Sequence, residues 1–190
     1  YQHQLFHQLS RLFPEDRVRL MLSTGPFEDA EGASAHFLLE SVRTGAKATQ
    51  KQIADIRRDL HTSVFALART AASFLPKIIW GEAQGAVVAA AYGRPRCLES
   101  VLMSRNVQTA ELPVLNTAWG NVAAIVIHAP RMARREIRHE DLKCAAPELF
   151  QQTSVPFIRT VAFKGAYLEG EAVLHYAATD EFLQSLEVEI

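Results

Sequence analysis

Apolar residues along this chain fall into short runs and spaced stripes, and the two patterns predict different elements. From Thr49 to Phe74 the apolar positions Ile53, Ile56, Leu60, Val64, Leu67 and Ala71 recur every three or four residues. That period places them on one face of a helix, with Lys51, Asp55, Arg58, Asp59 and Arg69 largely on the other. Pro76 closes this helix, and Lys77–Trp80 reads as a compact apolar strand. An alanine- and valine-rich helix, Ala86–Tyr92, follows the turn Gly81-Glu82-Ala83-Gln84-Gly85, and Gly93 and Pro95 end it.

Val122–His128 is the strongest strand signal, a continuous apolar run suited to a strand covered on both faces. Further strands are predicted at Val18–Ser23, Ser100–Ser104 and Phe157–Phe163. Helices are predicted over His3–Phe13, Leu112–Trp119 and Asp180–Leu186, and one from about Glu140 to Gln151 that Pro147 interrupts. Phe37–Val42 is apolar but carries no decisive period. Strand and helix candidates thus alternate. That order predicts an α/β fold, a mostly parallel sheet of about five or six strands with helices on both faces.

Composition bounds this picture. The chain has 190 residues, 48% of them hydrophobic, enough for one core and one expected domain over residues 1–190. The terminal helix at 3–13 carries a Phe/Leu face that is free to pack on a partner. A formal net charge of −1 gives no general attraction to nucleic acid or to a membrane surface. No apolar run reaches the length of a membrane span. Two cysteines, Cys97 and Cys144, do not form a disulfide framework, and a soluble protein in a reducing, intracellular setting is the expectation.

In a parallel sheet, ligands gather beyond the C-terminal strand ends. That rule nominates Thr24, Gly25, Gly81, Gln84, Gly85 and Asn106 as ligand-binding positions, and Glu82 and His128 as acid–base groups. The same residues also serve as ordinary turn and capping residues in folds of this kind. His3 and His7 have a helical metal-ligand spacing but no third ligand nearby, so no metal is expected, nor any cofactor. Arg131, Arg134, Arg135, Arg138 and His139 form a basic patch without interleaved aromatics, which points to a solvated or protein-contacting loop rather than to nucleic acid.

The strand–GEAQG–helix segment resembles the nucleophile elbow of the α/β-hydrolase family, strand–GxSxG–helix. Ala83 stands where that family has its serine, so the resemblance implies the scaffold without its nucleophile. Asp141 and His175 follow in the family's acid-then-histidine order, outside any recognisable motif. The pair LMLSTG and PKIIWGEAQGA is also similar to the crotonase family, in which two such turns form an oxyanion hole for an acyl-CoA thioester. The matching turns are Gly25–Phe27 and Gly81–Gly85. Ala86 and Val87 replace that family's further glycines. The leading expectation is therefore a non-catalytic scaffold or interaction domain with a protein partner or a second copy of itself. The alternative is an enzyme on small acyl or thioester substrates that binds a small-molecule ligand at these turns.

Overall fold

The computed structural model of the chain describes residues 19–28, 32, 34–36, 47–82, 84–122, 124–128, 139–150 and 159–162. The helices expected at 3–13 and 180–186, the apolar run 37–42, the basic patch at 131–138, Ala83 and His175 lie outside them.

The long helix forms as its period predicts. Helix α1 spans Gln50–Phe74, and its ends explain its limits. Thr49 Oγ1 accepts from the Gln52 amide at 3.3 Å, while Gln52 Oε1 accepts from the Thr49 amide at 2.7 Å. This capping box satisfies two backbone donors that would otherwise lack partners. At the other end Leu75 turns left-handed, with φ 52°, and its amide donates to the Ala71 carbonyl at 2.7 Å. Pro76 then prevents continuation.

Two short strands, β1 (Phe27–Glu28) and β2 (Ser34–Ala35), pair antiparallel. Strands β3 (Ile78–Glu82), β4 (Ala124–His128) and β5 (Arg159–Ala162) form a parallel sheet in that order, with Trp80 opposite Val126 and Glu82 opposite His128. Between β3 and β4 lie α2 (Gln84–Tyr92), α3 (Pro95–Ser104) and α4 (Leu112–Asn121). After β4 come α5 (His139–Ala145) and a 3-10 turn at Pro147–Phe150, so Pro147 does break the last helix.

Helix α2 is the centre of the molecule. It is apolar all round, and Ala86, Val87, Val88, Ala89, Ala91 and Tyr92 are all buried. A helix with no polar face must be surrounded. The sheet strands β3 and β4 cover one side of α2, and α1 and α3 cover others. Helix α1 in turn packs on α3, α4 and α5. Two glycines permit close approaches around α2. A Cβ on Gly81 would run into the Gly85 carbonyl and stand 2.7 Å from the Ala89 Cβ, and one on Gly93 would strike Ile125.

The expected fold class is corrected by this arrangement. Among the described residues helix predominates over strand, and they build a three-stranded parallel sheet and a two-stranded antiparallel one rather than a sheet of five or six strands or the α/β-hydrolase architecture. Two of the predicted strands fail. Residues 19–25 have no regular structure, and Ser100–Ser104 is the second half of α3. The reason at α3 is Pro95, which ends α2 and also occupies the first turn of the next helix, where its missing N–H costs nothing. Cys97, Leu98, Val101 and Leu102 then share one buried face at helical spacing. Among the sheet–helix contacts, α2 alone packs extensively on β3 and β4, while the other helices pack mainly on helices. No helix among the described residues is long and apolar enough to cross a membrane.

Candidate functional site

The turn joining β3 to α2 is where the nominated residues converge. Gly81 is buried in β3 against α2. Gln84 and Gly85 open α2. Glu82 and His128 are register partners at the ends of β3 and β4, so the two acid–base candidates occupy the same level of the sheet. Gly25 lies in the other nominated turn, where its carbonyl accepts from Ser34 Oγ at 3.0 Å. A Cβ there would collide with the Ala35 carbonyl. Thr24 is exposed beside it.

Residues 34–36 connect the two turns. Ser34 and Ala35 close on Gly25, and His36 closes on α2. The His36 amide donates to Gln84 Oε1 at 2.9 Å, and the His36 carbonyl accepts from Ser63 Oγ on α1. Its ring covers Gly85, where an added Cβ would stand 3.3 Å from Nε2. His36 Nδ1 is buried and has no hydrogen-bond partner among the described residues. Burial holds the imidazole below the ordinary histidine pKa. His36 is the residue that sequence reasoning missed. Its partners lie 48 and 27 positions away, and no local motif marks it.

Asn106 does not belong to this site on the ground given for it. It follows a helix rather than a strand, and with φ 48° it takes the left-handed conformation that asparagine tolerates after a helix end. Asp141, the acid in the hydrolase-like order, is buried and accepts from the Ala48 amide at 3.2 Å, a contact that ties α5 to the entrance of α1.

A second polar cluster joins the helices. Arg57 grips Glu148 with two hydrogen bonds, at 2.7 and 3.3 Å, and donates to the Ala145 carbonyl at 3.0 Å. Burial pushes the Glu148 carboxyl up, but the Arg57 hydrogen bond and charge, with a backbone hydrogen bond, bring it below the usual value. A small cavity beside it, with room for about one water molecule, is lined by His61, Cys97, Glu148 and apolar side chains. Burial first, and Glu148 second, push the Cys97 thiol up to about 12, so it is not a nucleophile at neutral pH. The Ser104 hydroxyl donates to the Val101 carbonyl at 2.8 Å, which leaves His61 Nδ1, 3.1 Å away, as the donor to Ser104 Oγ. Neither cysteine is in a disulfide. Among the described residues no group of three His, Cys, Asp or Glu side chains is placed to hold a metal ion.

The chain matches no protein-family model, no curated protein and no solved structure. A function must therefore be argued from the turns themselves.

Proposed function

We propose that this chain is a non-catalytic scaffold, a domain that acts by packing and by contact with other protein, either in a larger assembly or with a second copy of itself. One observation carries this reading. At all three glycines nominated to cradle a ligand, the neighbouring space is held by the protein's own atoms. The Ala35 backbone fills it at Gly25, α2 at Gly81, and the His36 ring at Gly85. Glycine here supports close approach between elements, which is a packing role. Met103 on α3 and Val114 on α4, 79% and 55% exposed, are apolar side chains open to a partner.

Native mass spectrometry of gently isolated protein tests the proposal. A complex with other chains, or a homo-oligomer, without a small-molecule adduct is expected. A monomer, bare or carrying a stoichiometric small-molecule adduct, counts against it.

The register pairing of Glu82 with His128 favours a second reading, proton transfer on a small acyl or thioester substrate at the sheet end. Turnover of an acyl-thioester panel that disappears in both Glu82→Gln and His128→Gln would establish it over the scaffold.

A further inference from the structure

We propose that His36 is an acid-operated latch: its neutral ring seats residues 34–36 on α1 and α2, and protonation releases that segment from the Gly81–Gly85 turn. The latch goes beyond the scaffold reading and does not depend on it.

The argument begins with what holds the segment. Among the described residues, strands β1 and β2 pair Phe27 with Ala35 and Glu28 with Ser34. A two-stranded ladder by itself is marginally stable at best in water. Among the described residues His36 attaches it to the helices: its amide is held by Gln84, its carbonyl by Ser63, and its ring covers Gly85. One residue thus bonds to both α1 and α2.

Among the described residues no acceptor faces His36 Nδ1. A neutral imidazole carries one N–H and one lone pair, whereas the cation has two N–H groups that each require an acceptor. Nδ1 is already buried without a partner among the described residues. The neighbouring end of α2 is its N-terminus, the positive end of the helix dipole, and its first turn contains no acidic residue. The charged and titratable groups on the adjoining described elements are these. On α1, Asp59 lies one turn before Ser63 and is held by Arg58 at 3.0 Å. Glu28 lies on β1, and Glu82 and His128 end β3 and β4. Burial is the cause of the depressed His36 pKa. A proton forced onto the ring meets desolvation and the helix dipole together, and the cheapest relief is to move the ring into water. The turn that the ring covers is then opened.

Hydrogen exchange of the backbone amides of residues 27–36, followed from about pH 7.5 to about pH 5 in the full chain and corrected for intrinsic rates, tests the latch. Exchange there should rise severalfold on acidification, while amides in the middle of α1 stay protected. The His36→Gln variant, which cannot titrate, should show no such rise. The His36 ring proton shift in the unaltered protein gives a readout independent of any substitution. Its midpoint should lie below 6.5 and coincide with the exchange midpoint. A ring midpoint at 6.5 or above, unchanged exchange in the unaltered chain, or the same acid response in His36→Gln would each overturn the proposal.

Discussion

At Tyr92 the ring and the hydroxyl of one side chain pull in opposite directions. The residue is fully buried at the end of α2, and its hydroxyl has no hydrogen-bond partner among the described residues. Its carbonyl, by contrast, accepts from Trp119 Nε1 at 2.9 Å. An unpartnered buried hydroxyl costs about 1–3 kcal/mol, while the ring contributes apolar contact. Tyr92→Phe is therefore expected to stabilise the fold by about 1 kcal/mol, measured by urea denaturation; a loss of stability would mean that the hydroxyl has a partner. The glycines teach a related lesson. Gly25, Gly81 and Gly85 were legible in the sequence as positions of close approach, but whether a ligand or the protein's own backbone comes close is a tertiary fact. Ala35, α2 and His36 supply that answer, and the nearest of these in sequence to Gly25 is ten positions away.

Helix α1 was legible to within a residue because its ends are chemically marked. Thr49 and Gln52 cap the start, and Pro76 follows the end. Thr49→Ala should cost about 1 kcal/mol in thermal or urea unfolding, and Thr49→Ser should restore most of it; equal stability of all three would remove the cap from the account. The last-turn residue Leu75 is half exposed and left-handed, so Leu75→Gly is expected to be neutral or stabilising by up to about 1 kcal/mol. Strands β3 and β4 were read nearly in place from their apolar runs. Failure came where one short apolar run fits two periods. Val101, Leu102 and Met103 look like a strand when taken alone, and become a helix only when Cys97 and Leu98 are counted with them. Residues 19–25 carry apolar side chains but pair with no strand among the described residues. What they gain is an anchor, the Arg19 guanidinium, which donates to the Phe74 carbonyl at 2.7 Å and lies 4.2 Å from the Phe74 ring centre.

At the scale of the molecule, the buried titratable groups set a window of stability. His36 and His61 both have pKa values lowered, first by burial, so the unfolded chain binds more protons below 6.5. Stability from these groups falls as the pH drops through 6.5 and levels off below their folded values. Glu148, held below 4.5, adds a second loss at lower pH, as its Arg57-bound carboxylate is protonated. On the alkaline side, burial lifts Tyr92 and Cys97 to about 12, from 10.0 and 9.0, so unfolding releases protons and stability falls above about pH 9. The melting temperature should therefore be highest between about pH 7 and 9, and a scan showing greatest stability near pH 5 would contradict this assignment. The two thiols have a consequence of another kind. Cys144 is exposed on α5, whereas Cys97, on the buried face of α3, is 6% exposed. Added thiol reagent will mark Cys144 at once and Cys97 only when the helices part. The second modification thus serves as a clock, built into the chain, for how often its interior opens.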